Sequence, residues 1–146
     1  AEAPTLLEGY QVLHKLAQET SFSADELTVV WQSINVEHAC HYCVPAHTGI
    51  AKSMNVSDTL IEELRNDEVL SDSKLNTLKE TVLAVTRGRG NVEETQLKAF
   101  YDAGYAHKQL LEIILVLAQK VMSNYTNHLA ETPVDEPFKK FEWSPK

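Results

Sequence analysis

Apolar residues recur three or four positions apart along most of this chain, which is the spacing that places them on one face of an α-helix. The segments with this pattern are residues 6–17, 27–34, about 43–54, 60–64, 75–85, 91–101 and 107–130. Residues 46–132 contain no proline and four glycines, whereas a sheet protein needs many turn residues. The pattern predicts an all-α fold of six to seven helices in a single domain, residues 1–146, with an irregular tail over about 132–146.

Polar residues in front of several segments predict where the helices begin. Ser23 and Glu26 have the capping-box spacing, in which each side chain binds the backbone amide of the other residue. Ser57 is the predicted N-cap of the fourth helix. Asn91, with Glu94 three residues later, predicts the start of the sixth helix.

The last predicted helix is the most apolar segment of the chain. Residues 110–118 are almost uninterrupted apolar side chains, so this helix is predicted to be buried on most sides. A domain of this size has too little surface to cover such a helix alone. We therefore expect another subunit to cover part of it, and the chain to form a homo-oligomer.

The charge balance is acidic, because 13 Lys and Arg residues face 21 Asp and Glu residues, a formal net charge of −8. This balance argues against nucleic acid or an anionic membrane as a partner. No run of 18 apolar residues exists, and Glu2 and Glu8 lie where a signal peptide requires a basic and then an apolar stretch. We expect a cytoplasmic protein that binds neither nucleic acid nor membrane.

The two cysteines, Cys40 and Cys43, lie in one four-residue window, too few for a secreted disulfide scaffold. Pro45 is tolerated only in the first turn of a helix, so the third helix is predicted to begin between residues 41 and 44. Both sulfurs then lie near a helix N-terminus. Unpaired amides and the helix dipole at that end lower a thiol pKa from about 8.5 to about 3.5–7.5.

A histidine and two acids complete the pattern around the thiols. His47 lies four residues after Cys43, on the same helix face, so the two side chains are expected to touch. A histidine there can take the thiol proton and later return one to a leaving oxygen. Glu37 or Glu26 is expected to orient His47 or to accept its proton. These residues together favour redox chemistry at a nucleophilic thiol.

Two other interpretations of the window stay open. In a zinc site, Cys40, Cys43 and His47 supply three ligands and His38 or His41 a strained fourth, although the usual second pair of ligands is absent nearby. As a structural disulfide, the pair would close a very short loop, and such a bond does not persist in the cytoplasm.

The window Glu37-x-x-Cys40-x-Tyr42-Cys43-x-x-x-His47-Thr48 resembles the active-site motif of the carboxymuconolactone decarboxylase superfamily, in its cysteine-containing, alkyl hydroperoxidase D-like (AhpD-like) branch. Further resemblance covers nearly the whole chain: the preceding helix, residues 75–85, the turn into Asn91, Gly104, and residues 123–128. It implies an all-helical fold that assembles into trimers or hexamers. It also implies a thiol-dependent peroxidase that reduces hydrogen peroxide or organic hydroperoxides in antioxidant defence.

Transferred by position, the resemblance implies that Cys43 attacks the peroxide, that Cys40 resolves the product into a disulfide, and that His47 relays protons. A dithiol such as dihydrolipoamide, or a lipoyl protein, is then expected to restore the thiols, and neither a cofactor nor a metal is expected. The family's glutamate lies twelve residues before the first cysteine, where this chain has Thr28. Glu26 and Glu37 therefore both stay candidates for the proton relay.

Tyr42 and His41 lie between the cysteines and are expected to line the substrate pocket, although packing explains Tyr42 equally well. Two functions from other classes compete with the peroxidase. One is a non-catalytic redox-sensing or zinc-stabilised module that binds a protein partner. The other is a carboxymuconolactone decarboxylase-like lyase. The resemblance favours this activity less than the peroxidase, because those enzymes lack the cysteine pair.

Overall fold

The computed structural model describes residues 2–145, and in that range it contains helices and no strand. The α-helices are α1 (Pro4–Gln18), α2 (Ala24–Glu37), α3 (Cys43–Ser53), α4 (Asp58–Arg65), α5 (Ser73–Arg87), α6 (Glu94–Asp102) and α7 (His107–Leu129). A 3-10 helix, Glu136–Phe141, follows them. The predicted all-α fold is confirmed for these residues. Residues 1 and 146 of the predicted domain lie outside the described range.

Helix α2 lies at the centre of the molecule and packs against α3, α4, α5 and α7. Residues 27–35 are all buried, which is why this helix shows apolar residues on more than one face. The largest buried side chains include Trp31 and Ile34 of α2 and Phe100 of α6. Helix α1 packs mainly along α7 and closes one side of the core.

The predicted starts of α2, α3 and α4 are confirmed. Ser23 and Glu26 form the capping box, and Ser57 accepts the amide of Leu60. The predicted start of α6 at Asn91 is wrong, because this helix begins at Glu94. The Asn91 side chain instead donates to the carbonyl of Gly88 at 3.0 Å and holds the turn after α5.

Within one chain, helix α7 buries only part of its apolar run, as expected for a domain of this size, and the cover by another subunit stays a prediction. Its buried positions are Ile113, Val116, Gln119, Lys120 and Asn124. The apolar Leu111 and Ile114 are 54% and 51% exposed. The inward face is therefore apolar near the start of the helix and polar toward its end.

The tail is more ordered than the sequence predicts. Its 3-10 helix lies against α3, and an ideal Cβ on Gly49 would come within 2.7 Å of the Phe138 ring. Arg65 donates to the carbonyl oxygens of Phe141 and Glu142, and Trp143 donates to the carbonyl of Arg65. These contacts fasten the tail over the helix that begins at the cysteines.

None of the helices within residues 2–145 combines the length and apolar character needed to cross a bilayer.

Candidate active site

A tight reversal between α2 and α3 places the two cysteines. Helix α2 ends at Glu37, and Ala39 adopts a left-handed φ of 50°, a conformation that costs a residue with a Cβ roughly 1–2 kcal/mol. The amide of Cys40 donates back to the carbonyl of Asn35 at 3.0 Å, the six-residue bond of a Schellman turn. Cys43 is the first residue of α3, within the predicted range.

The two thiols have opposite environments. Both cysteines are buried, but Cys43, at 3% exposed, lines the cavity and Cys40, at 0%, does not. The Cys43 amide donates to the Cys40 sulfur at 3.3 Å. A hydrogen bond from the Cys40 thiol, the charge of Lys120 and the Asn127 amide lower the pKa of Cys43 to about 5 against the opposing effect of burial. The same bond and burial raise the pKa of Cys40. Cys43 is thus the thiolate of the pair at neutral pH.

His47 and Lys120 form a buried pair beside this thiolate. Lys120 Nζ lies 2.8 Å from His47 Nε2, and the two residues are 1% and 5% exposed. Burial and the positive charge of Lys120 lower the pKa of His47 well below its ordinary value of 6.5. His47 is therefore neutral. No hydrogen bond joins His47 to Cys43 within residues 2–145.

A chain of buried side-chain amides supports the start of α3. Asn124 donates to Asn35 at 3.0 Å, Asn35 donates to Gln32 at 2.9 Å, and Gln32 donates to the carbonyl of Val44 at 3.2 Å. His38 donates to the Asn124 carbonyl oxygen at 3.0 Å. Because each of these buried groups has a partner, the network holds the cysteine turn at little desolvation cost.

Four aromatic rings continue from His47 toward α1. The ring centroids of His47 and Trp31 lie 4.9 Å apart, those of Trp31 and His14 5.9 Å, and those of His14 and Tyr10 5.8 Å. Gln119 accepts from the Trp31 indole at 2.9 Å and lies 3.2 Å from His14 Nδ1. The Trp31, His14 and Tyr10 rings are stacked, and the His47 ring packs against Trp31 at a tilt of 58°.

The cavity in front of Cys43 has a volume of about 710 Å³. Side chains from α1, α3, α7 and the tail surround it. Its polar wall includes Tyr10, Tyr42, Cys43, His47, Lys120 and Asn127, and its apolar wall includes Leu6, Leu7, Ile50, Met122 and Phe138. The volume is that of a typical small-molecule site.

The structure brings together Cys40, Cys43, His47 and Tyr42, but it does not bring either glutamate to them. Glu37 forms an ion pair with Arg87 at 2.7 Å. Glu26 binds the Ser23 amide and lies 3.1 Å from Lys74. Neither glutamate lines the cavity. The expected contact of a carboxylate with His47 is thus absent, because both acids are held at the ends of α2 by other partners.

The two residues between the cysteines differ. Tyr42 lines the cavity and donates to Asp135 at 2.7 Å; burial and this carboxylate raise its pKa to about 12. His41 lies instead against the tail, 3.1 Å from the carbonyl of Thr132, and is not among the cavity-lining residues.

Within residues 2–145, no three His, Cys, Asp or Glu side chains are grouped so as to hold a metal ion. The histidines proposed as a fourth zinc ligand, His38 and His41, are each bonded elsewhere.

Lys120, Asn124 and Asn127 were not among the site residues that the sequence predicted. One signal was available, since these residues continue the inward stripe of Ile113 and Val116 at helical spacing. Polar residues at core positions of a helix require buried partners. The stripe therefore predicts a polar site beneath the end of α7, although it does not name the cysteines as part of it.

No protein-family model and no curated protein sequence matches the chain significantly. Solved structures do match it in fold. An uncharacterized peroxidase-related protein from Silicibacter sp. TM1040 superposes with a TM-score of 0.76 at 16% identity, over 90% of this chain and 71% of its own.

A second structure matches with a TM-score of 0.82 at 15% identity, over 94% of this chain and 74% of its own. It is described as an alkylhydroperoxidase AhpD core, an uncharacterized peroxidase-related protein from Ralstonia eutropha JMP134. The chain therefore has the AhpD-like fold, as its cysteine motif predicts.

Proposed function

We propose that this chain is a thiol-dependent peroxidase that cycles Cys43 and Cys40 between dithiol and disulfide. The observation on which this rests is the position of Cys43, a thiol with its pKa lowered to about 5 on the wall of a cavity, directly in front of a second, buried thiol. The AhpD-like fold and the peroxidase-related names of its structural neighbours support the same class.

The first step oxidises Cys43. Its thiolate attacks the terminal oxygen of a hydroperoxide ROOH, the sulfur–oxygen bond forms and the oxygen–oxygen bond breaks. Cys43 becomes a sulfenic acid, and the leaving oxygen takes up one proton and departs as the alcohol ROH, or as water when the substrate is hydrogen peroxide.

The second step uses Cys40. Its sulfur attacks the sulfenic sulfur, a disulfide forms and one water leaves. A dithiol reductant, such as dihydrolipoamide or a lipoyl protein, then reduces this disulfide by thiol–disulfide exchange and becomes a cyclic disulfide itself. The sum is ROOH plus dithiol giving ROH, water and the oxidised reductant, with no other cofactor required. We place this activity in the cytoplasm, where such reductants are kept reduced.

The test is peroxide consumption by the purified protein with dihydrolipoamide, compared among the native chain, Cys43→Ser and Cys40→Ser. We expect turnover only in the native chain. One equivalent of peroxide should leave a sulfenic acid at position 43 in Cys40→Ser, detected by mass spectrometry after trapping. A trapped adduct on Cys40 in the Cys43→Ser variant, with none on Cys43 in Cys40→Ser, would reverse the two roles. A disulfide that forms without turnover would instead indicate a redox sensor.

A further inference from the structure

Among residues 2–145, Lys120 is the one lysine or arginine that lines the cavity of the thiol site. It is 1% exposed, lines the cavity with Cys43, and bonds only to His47 Nε2 among the hydrogen bonds of residues 2–145. No carboxylate pairs with it there, whereas Lys79, the other buried lysine in that range, pairs with Asp67 at 2.8 Å. A lone buried ammonium is costly, so Lys120 keeps its proton only where an anion lies near it.

The titratable groups around Lys120 identify that anion. Helix α1 contributes His14 and Tyr10, α3 contributes Cys43 and His47, and Cys40 lies just before α3. Glu2 also lines the cavity. Burial lowers the pKa of Lys120, while Cys43 and Cys40 raise it. Glu2 is exposed to water, whereas Cys43 is buried and lines the same cavity as Lys120, so we assign the Cys43 thiolate as the anion that stabilises the ammonium.

We propose that Lys120 supplies the acid of the thiol site: when Cys43 attacks a hydroperoxide, the leaving oxygen is protonated through His47, and the Lys120 ammonium is the group that ends the step one proton poorer. The proposal rests on the proposed function and adds to it the source of the proton. Before the step, the site contains a thiolate and an ammonium. After it, the site contains a neutral sulfenic acid, a neutral amine and the alcohol.

The balance of charge gives the proposal its physical reason. Attack on the peroxide consumes the thiolate, so the ammonium loses its counter-ion in a buried place. Its pKa falls at that moment, when the leaving oxygen requires a proton. Reduction of the disulfide regenerates the thiolate, and Lys120 then takes a proton back.

His47 is placed to pass this proton on. An ammonium at Lys120 donates to His47 Nε2, so the proton of the neutral ring lies on Nδ1. That atom is buried and has no hydrogen-bond partner in residues 2–145. When Nδ1 gives its proton to the leaving oxygen, Nε2 receives one from Lys120, and the ring ends the step neutral.

The test distinguishes the effect of the positive charge of Lys120 from its ability to donate a proton. Lys120→Met removes both, while Lys120→Arg keeps a charge that cannot be given up as a proton. Lys108→Met is the matched control, because Lys108 lies on the same helix with an exposed side chain. Two single-turnover rates of Cys43 are measured in a Cys40→Ser background: alkylation by iodoacetamide, whose leaving iodide needs no proton, and oxidation by an alkyl hydroperoxide.

We expect Lys120→Met to slow both reactions at pH 6, because without the charge of Lys120 the Cys43 thiol of this variant is more protonated at that pH. Lys120→Arg should alkylate at close to the rate of its parent but lose roughly 10²-fold or more in oxidation, the size of a typical general-acid effect. A peracid, whose leaving carboxylate needs no proton, should largely restore oxidation in Lys120→Arg. Wild-type oxidation in Lys120→Arg, or unchanged alkylation in Lys120→Met, overturns the proposal.

If the Lys120 variants do not fold, the proposal can still be tested on a chain that keeps Lys120, by measuring both rates as a function of pH. With rising pH, alkylation should increase through the Cys43 pKa and then stay level, whereas alkyl hydroperoxide oxidation should increase and then fall as Lys120 loses its proton. Parallel profiles overturn the proposal. A chain that is oxidised once with this divergence, yet never turns over with any dithiol, would contradict the peroxidase and leave the role of Lys120 supported.

Discussion

Single residues control the ionisation of Cys43, and Asn127 is the one that can be changed with least damage. Asn127 lies in the last turns of α7, and its side-chain amide donates to the Cys43 sulfur at a distance of 3.3 Å. It is half-buried and contributes nothing to the apolar core. Its removal should therefore alter the thiol more than the fold.

We predict that Asn127→Ala raises the Cys43 pKa by roughly one, because a hydrogen bond to a charged group contributes about 1.5–3 kcal/mol and sulfur accepts weakly. Asn127→Asp should raise it further, since a carboxylate repels the thiolate. The measurement is the thiolate ultraviolet absorbance as a function of pH, with Thr126→Ala as control. An unchanged midpoint in both Asn127 variants would contradict the prediction.

The buried, neutral His47 should also make the free energy of unfolding depend on pH. Its pKa in the folded chain lies well below the ordinary 6.5, so below pH 6.5 the unfolded chain binds a proton that the folded chain does not. Unfolding should then become easier by about 1.4 kcal/mol for each pH unit below 6.5 until the folded pKa is reached.

Urea unfolding at pH 7, 6 and 5 measures this effect. The His47→Gln variant, which cannot titrate, should be less stable overall but should show a shallower loss of stability toward acid. Equal slopes in the two proteins would mean that His47 titrates normally in the folded chain.

At the scale of elements, α3 and the tail share one contact that depends on a glycine. An ideal Cβ on Gly49 comes within 2.7 Å of the Phe138 ring, and Phe138 also forms part of the cavity wall. The absence of a side chain at Gly49 is thus what allows the 3-10 helix to lie close to α3.

We predict that Gly49→Ala lowers the thermal unfolding midpoint, because displacing Phe138 costs about 1–3 kcal/mol and exceeds the gain of about 1 kcal/mol in helix propensity. In a Phe138→Ala background the same change should raise the midpoint, since the clash is gone and the propensity gain stays. Calorimetry of the four proteins tests the reversal of sign. A stabilising Gly49→Ala in the native background would show that the tail is not held against α3.

At the scale of the whole molecule, the outer face of α7 favours self-association. Leu111, Ile114, Tyr125 and Leu129 are all exposed and lie on one side of the helix at its 3.6-residue period. Such a stripe is costly to leave in water, at about 25 cal/mol per Å². The homo-oligomer predicted from the sequence, a trimer or hexamer by resemblance, stays a prediction.

Light scattering should find an assembly several times larger than the 16.4 kDa chain. The double variant Leu111→Glu, Ile114→Glu should dissociate it, because a buried charge between subunits has no partner. Val69→Glu, at an exposed apolar residue in the loop after α4, is the control and should leave the assembly intact. A monomeric native chain at micromolar concentration would contradict the prediction.

Local patterns in the sequence were enough to predict the helices, several of their starts and the position of the two cysteines at the start of α3. The capping box at Ser23 and the start of α3 at the cysteines depend on residues a few positions apart, so local patterns contain the information. The start predicted at Asn91 was wrong for a local reason, because the Asn91 side chain bonds within the turn before α6. The apolar run of α7 predicted partial burial but did not indicate which side of the helix faces inward.

The groups that surround the Cys43 thiol could not be predicted from local patterns, because they come from separate helices. Lys120 meets His47 across 73 positions of chain, and Glu26 and Glu37, the expected partners, are held by Lys74 and Arg87 instead. Spacing along a helix predicts a face, but the contacts of that face depend on how separate helices pack. Because a thiol pKa responds to charges and donors a few ångströms away, the chemistry of the pair was settled by that packing.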